Sequence, residues 1–375
     1  MATSATIRSV AVPAMAQRAC ALKQQRSSAM IPGAKALRTS AKLSQKNARA
    51  ASVITKAVAD DAFADYKPKT AFFFPGQGAQ SVGMAAELCK ENAAAKALFD
   101  EASEILGYDL LKVCSEGPAD SLNTTAISQP AIFVASFAAL EKLKAMDEGA
   151  AAMEACNVAA GLSLGEYTAL TYAGAMTFAD GVRLVKLRGE SMQAAADAQP
   201  SGMASIIGLD SDKVAELCKV ASEAAGEGQG VKIANFLCPG NYAVSGGIKG
   251  IEEVSARAKP EFKARMAVKL AVAGAFHTEY MSPAAEQLQE ALAATNFVTP
   301  RIPVISNVDA VPHSDPETIK KILAQQLTSP VLWENTVGAL IEKGCEGAYE
   351  IGPNKVIAGI CKRIDKKFSV TNIEC

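Results

Sequence analysis

The chain has 375 residues, 49% of them hydrophobic and 21% charged, with a formal net charge of −1. That length allows one large domain or two modest ones around a sizeable core. No run approaches 18 consecutive apolar residues, which argues against a membrane-spanning helix. Nine scattered cysteines without a C-x-x-C pair argue against a disulfide framework or a zinc site.

The near-neutral charge hides two different segments. Residues 1–59 hold ten bases, five Arg and five Lys, and Asp60 is the first acid. An acid-free, basic segment rich in Ala, Ser and Thr reads as an organelle transit peptide, with "SVITKAVADD" as the region where it would be processed. The rest carries 28 bases against 39 acids, so a mature chain starting near residue 60 has a charge near −11. A body that acidic is a poor general nucleic-acid binder.

In chain order, "TAFFF" predicts a short apolar strand stopped by Pro75 and Gly76. "AKALFDEASEILG" and "QPAIFVASFAALEKLKAM" carry helical periodicity, and "NVAA" (157–160) is a short buried strand. "GEYTALTYAGAM" and "FADGVRLVKLRGESMQAAA" follow as helices. The texture then changes to "MASIIGL" strand, "SDKVAELCKVASEAA" helix, "VKIANF" and "NYAVSGG" strands, "IKGIEEVSARAKP" helix and "MAVKLAV" strand. This β-α-β-β-α-β order is the ferredoxin-like arrangement. "PVISNVDA", "ETIKKILAQQLTSP", "VGALIEKGCEGAYEIGP" and "VIAGICKRI" return to an alternating pattern. The expected fold class is therefore α/β: a large domain over 60–201 and 272–375, with a ferredoxin-like subdomain inserted at 202–271.

Gly161, Ser163 and Gly165 form G-x-S-x-G between a predicted strand and a predicted helix. In that context a tight turn pushes a nucleophilic hydroxyl out at the end of the sheet, and the helix N-terminus offers N–H groups to a developing oxyanion. Without the flanking elements, an ordinary Gly/Ser turn would be the better reading. A serine needs a base, and beyond residue 60 only His277 and His313 are available. His313 sits in "DAVPHSDPE", which reads as a solvated surface loop. His277 sits in "AVAGAFHTEYMSP", between an apolar strand and a helix, where α/β enzymes present site residues. No Asp or Glu stands out as the acid partner of His277.

"FPGQGAQSVGM", "ISQPAIFVASFAAL", "GLSLGEYTAL", "RLVKLRGESM", "GAFHTEYMSPAAEQL", "QQLTSPVLW" and "EIGPNKVIAGICKRI" together resemble the malonyl-CoA:acyl carrier protein transacylase family, in family order from residue 72 to about 364. The resemblance implies an α/β-hydrolase-like large domain with the ferredoxin-like insertion. It makes Ser163 the acylated nucleophile and His277 its base. It sets Gln326 where a glutamine carbonyl accepts the histidine N–H, so that a neutral amide replaces the missing acid. Gln77 and the backbone N–H of Leu164 would form the oxyanion hole. Arg188, on a helix where sequence alone makes both it and Arg183 solvated or helix-pairing, would grip the substrate's free carboxylate as a bidentate fork. Phe276, more often a core position, would exclude α-methyl substrates.

Leu162 replaces the histidine of many members, and Asn354 stands where glycine is commoner, in a position suited to a left-handed turn. The implied substrates are malonyl-CoA and holo-acyl carrier protein, with no cofactor or metal, no membrane or nucleic-acid partner, and a monomeric enzyme. "CKRIDKK" (Lys362, Arg363, Lys366, Lys367) is a basic stretch suited to an acidic carrier protein, though a solvated helix end is the default. The resemblance of "GLSLGEY" to plant-type members favours the chloroplast stroma over the mitochondrial matrix. A serine esterase or thioesterase, a trans-acting polyketide acyltransferase, and a non-enzymatic carrier-binding subunit are the other readings.

Overall fold

The computed structural model describes residues 62–375. The segment read as a transit peptide lies outside the described residues.

Five strands make one parallel sheet: β1 (Thr70–Phe74), β2 (Cys156–Gly161), β7 (Val304–Ile305), β8 (Gly347–Ile351) and β9 (Ser369–Ile373), in the order β7-β2-β1-β8-β9. The run "TAFFF" is apolar from Ala71 to Phe74 because both faces of a central parallel strand are covered. Side chains alternate across the pleat, so Phe72 and Phe74 enter one core and Ala71 and Phe73 the other. Phe73 meets Trp333 edge-on at 5.3 Å between ring centroids. All three phenylalanines are fully buried, each contributing roughly 2–3 kcal/mol.

The larger core is closed by two long helices, 125–145 and 178–198. They pack unusually closely. A Cβ on Gly189 would lie 2.7 Å from the Thr125 carbonyl oxygen, and one on Gly181 would lie 2.4 Å from the Phe133 ring. This close approach at Gly189 carries its neighbour Arg188 up to Gln129 on the facing helix.

The second sheet is antiparallel: β3 (Ser201–Ile207), β4 (Val231–Cys238), β5 (Asn241–Gly247) and β6 (Met266–Lys269), in the order β4-β5-β3-β6. Helices 211–225 and 248–258 cover it through Val214, Leu217, Ile251 and Val254. It is stitched to the rest of the chain at one edge. Phe236 N–H donates to the Val331 carbonyl at 2.9 Å, and Val331 N–H to the Ala234 carbonyl at 2.8 Å.

Several expected elements need correction. "MAVKLAV" is strand only to Lys269, because the chain then leaves the sheet on its way to His277. "PVISNVDA" is strand only over Val304–Ile305, since Ser306 and Asn307 turn into the site. The helix expected after His277 is present at Ser282–Ala294, whereas the edge strand β9 lies in a stretch where no element is expected. Asn354 does take a left-handed backbone, at φ 60°.

Gly165 shows how little room the turn after β2 has. A Cβ there would sit 2.1 Å from the Phe74 carbonyl oxygen and 3.0 Å from that of Pro75. Backbone cannot yield as a flexible side chain can. Gly165→Ala is therefore expected to cost about 3 kcal/mol or more, read as a lowered midpoint in chemical denaturation.

Candidate active site

The site lies beyond the carboxyl ends of β1 and β2, where parallel sheets present ligands. Ser163 follows β2 and precedes the helix Leu164–Tyr172, with φ 54° and ψ −102°. A non-glycine residue in such a conformation stores about 1–3 kcal/mol, which its surroundings must offset. Asn307 does much of this. Its Oδ1 accepts from Ser163 N–H at 2.6 Å, and its Nδ2 donates to the Gly161 carbonyl at 2.8 Å. Gln326 Nε2 donates to the Ser163 carbonyl at 3.1 Å. The peptide groups around the nucleophile are thus held from two sides.

Ser163 Oγ lies 2.9 Å from His277 Nε2, and His277 Nδ1 lies 2.9 Å from the backbone carbonyl of Gln326. A carbonyl oxygen can only accept, so Nδ1 carries the hydrogen and Nε2 offers its lone pair to the serine hydroxyl. This corrects the expected role of Gln326. Its main-chain oxygen orients the imidazole, while its side-chain amide serves elsewhere. His277 itself has φ 61°. The small sheet supports it on the preceding residues: Ser245 Oγ donates to the Phe276 carbonyl at 2.8 Å, and Ser201 Oγ accepts from Ala275 N–H at 3.0 Å. Burial, reinforced by the nearby Arg188 charge, pushes the His277 pKa down to about 4. The free base is the resting form.

Arg188 is 1% exposed, which overturns the solvated reading that sequence alone favours. Its Nη1 donates to Gln129 Oε1 at 2.6 Å, and its Nη2 to Ser163 Oγ and Gln326 Oε1, each at 3.0 Å. The serine oxygen therefore accepts from a cation while donating to the histidine. Arg188 Nε is buried with no acceptor, a donor left over for a ligand's oxygen. The face of Tyr167 lies 5.2 Å from the guanidinium carbon. Burial draws the guanidinium pKa down, opposed by Tyr167 and Glu166, but arginine stays charged. Arg183, by contrast, is exposed and pairs with Asp180 at 3.0 Å.

Gln77 lies in the turn after β1. A Cβ on Gly76 would meet the Leu162 carbonyl oxygen at 2.2 Å, so this turn abuts the one bearing Ser163. Gln77 Nε2 donates to Thr125 Oγ1 at 3.4 Å. Leu164 is the first residue of its helix, where a backbone N–H has no intrahelical acceptor. Phe276 is buried in the larger core beside His277. His313 is not the solvated histidine expected: its side chain is 12% exposed and its Nε2 lies 2.8 Å from Asp309 Oδ2. Lys362, Arg363, Lys366 and Lys367 are exposed around the end of helix 356–364.

Asn307, Gln129 and Glu166 complete the site and escape sequence reasoning. Only Asn307 has a readable signal, its place at the carboxyl end of a short apolar strand. Asn307→Ala leaves the Ser163 N–H and Gly161 carbonyl without partners. We expect it to cost about 2–4 kcal/mol of stability and to lower kcat roughly 10- to 100-fold through misplacement of the nucleophile. Denaturant titration beside steady-state kinetics checks both.

Chemically, the arrangement is a serine nucleophile with its base in place, and a buried cation beside the nucleophile with one donor unspent. It suits acyl transfer from a substrate that carries a carboxylate. Comparison with known proteins agrees. Residues 71–370 match the acyl transferase domain family. The chain is 43% identical over 300 residues to the malonyl CoA-acyl carrier protein transacylase of Bacillus subtilis, covering 80% of this chain and 92% of that one. It is 40% identical over 312 residues to the human mitochondrial malonyl-CoA-acyl carrier protein transacylase, covering 80% and 79%. Among solved structures it resembles a malonyl-transacylase in complex with its type II PKS acyl-carrier protein, with a TM-score of 0.76, 37% identity and coverage of 82% and 96%. With the serine, its base and the buried arginine assembled in one site, and these relatives matched over most of their length, the chain belongs to the malonyl CoA-acyl carrier protein transacylase family.

Proposed function

We propose that this acyltransferase moves the malonyl group from malonyl-CoA to the phosphopantetheine thiol of acyl carrier protein, supplying fatty acid synthesis. The observation that carries the reading is the contact of Arg188 Nη2 with Ser163 Oγ at 3.0 Å. A buried guanidinium that close to the nucleophile selects an acyl group bearing its own carboxylate a few ångströms from the reacting carbonyl. A simple esterase has no use for it.

Ser163 Oγ attacks the thioester carbon as its proton passes to His277 Nε2. The C–S bond breaks, and the departing sulfur takes that proton and leaves as CoA thiol. In the second half, the carrier's thiol gives its proton to His277 Nε2 and its sulfur attacks the malonyl-serine ester. Ser163 Oγ then leaves, recovering the proton. The N–H groups of Gln77 and Leu164 face the oxyanion in both halves. Arg188 holds the malonyl carboxylate, and Phe276 restricts the space at the substrate's α-carbon. No metal or other cofactor is needed.

The large part, 60–201 and 272–375, acts as an α/β-hydrolase-like body, and 202–271 as a ferredoxin-like subdomain that braces the base. The enzyme works as a monomer, and the basic stretch from Lys362 to Lys367 receives the carrier. The acid-free residues 1–59 direct the chain to the chloroplast stroma. The test is incubation of residues 60–375 with malonyl-CoA and holo-acyl carrier protein. The carrier should gain one malonyl group, and apo-carrier should gain none. Steady release of free malonate with no gain on the carrier would make the protein a hydrolase instead.

A further inference from the structure

Glu166 is a carboxylate that the transfer steps do not use. It lies in the first turn of helix 164–172 and is 3% exposed. Its Oε2 accepts from Gln326 Nε2 at 2.6 Å and from Asn307 N–H at 3.0 Å. The other end of the same amide, Gln326 Oε1, accepts from Arg188 at 3.0 Å. Carboxylate and guanidinium are thus joined through one fully buried amide rather than by direct contact. The hydrogen-bond acceptors of Arg188 are all neutral: Gln129, Gln326 and the Ser163 hydroxyl. Glu166 is its counter-charge at one remove.

Other groups also bear on Glu166. Asp309, from the loop after β7, repels it, and Arg188 attracts it. Tyr167 adjoins it on the same helix. His277 shares Gln326 with it, through the main-chain oxygen that holds the imidazole. His313, paired with Asp309, faces it across a small cavity of about 10 Å³ that Ser306 also lines. That is room for about one water molecule. Burial outweighs the two donated hydrogen bonds and holds the Glu166 pKa up at about 7.

We infer that Glu166 is the resident counter-ion of Arg188 and takes up a proton when a substrate carboxylate docks on that arginine. The inference rests on the reading of Arg188 as the carboxylate-binding residue. One buried cation balances one buried carboxylate; a second brought into the same low-dielectric site leaves an excess negative charge that a proton removes. Protonation need not disturb the site. Oε2 keeps accepting from Gln326 and Asn307, and the other oxygen carries the proton.

Substrate binds the protonated form better, so kcat/KM for malonyl-CoA falls as pH rises through the free-enzyme pKa of Glu166, at most tenfold per unit. His277 stays in its base form throughout this range. Wild type is expected to lose about tenfold in kcat/KM between pH 6.5 and 8.5. For Glu166→Gln, which imitates the protonated acid, kcat/KM should change by less than about twofold over the same range whatever its absolute level, and the titration of CoA itself is common to both proteins. Calorimetry of wild type with malonyl-CoA at pH 7.5, in buffers of different ionisation heat, should register net proton uptake and stays informative if the variant fails to fold. Equal slopes in the two proteins, or no uptake by wild type, would overturn the inference. Retention of the malonyl-over-acetyl preference by Arg188→Gln would instead overturn the reading of Arg188 beneath it.

Discussion

Ser163→Ala is expected to reduce malonyl transfer by roughly 10⁴- to 10⁶-fold, the range for removing a nucleophile from a unit that works together. The geometry explains why nothing nearby can replace it. The Oγ is the one atom that both donates to His277 and accepts from Arg188. His277→Ala should cost about 10³-fold or more, because no other described histidine reaches the serine and His313 is engaged with Asp309. Single-turnover kinetics with malonyl-CoA measures both. The acid limb has a defined sign. His277 is held as the base down to about pH 4, against an unfolded value of 6.5. Between those values only the unfolded chain binds the proton, so falling pH weakens the fold before it protonates the base.

Arg188→Gln is expected to lower kcat/KM for malonyl-CoA by about 10²- to 10³-fold, as truncation of one partner of a buried charge pair costs several kcal/mol. Acetyl-CoA has no carboxylate for the guanidinium, so its transfer should suffer only from the lost hydrogen bond to Ser163 Oγ. The malonyl-to-acetyl ratio is therefore the sharper readout, and it should fall about 10²-fold. Arg188→Lys should not restore it. An ammonium cannot span Gln129, Ser163 and Gln326 at once while leaving a donor for the ligand.

The chemistry that is local in sequence is legible there. Gly161, Ser163 and Gly165 act through one turn whose glycines touch backbone, so three residues carry the signal. His277 follows by elimination in a histidine-poor chain. Arg188 is different: a helical arginine looks solvated until the close packing around Gly189 buries it against Gln129. Gln326 shows a finer limit. Family pattern finds the position, but only coordinates separate its main-chain oxygen, which serves His277, from its amide, which bridges Arg188 and Glu166. Asn307 and Glu166 act through partners more than 140 residues away, and no local pattern encodes such contacts. In the fold, the largely buried strands β1 and β2 announce themselves by composition. The edge strand β9, with polar residues on its exposed face, does not.

The most direct test of the central claim is the intact mass of residues 60–375 after brief exposure to malonyl-CoA without carrier protein. One malonyl adduct located on Ser163 is expected, with little adduct from acetyl-CoA, none on Ser163→Ala, and loss of the adduct on adding holo-acyl carrier protein. An adduct on another residue, or none despite transfer to the carrier, would contradict that claim.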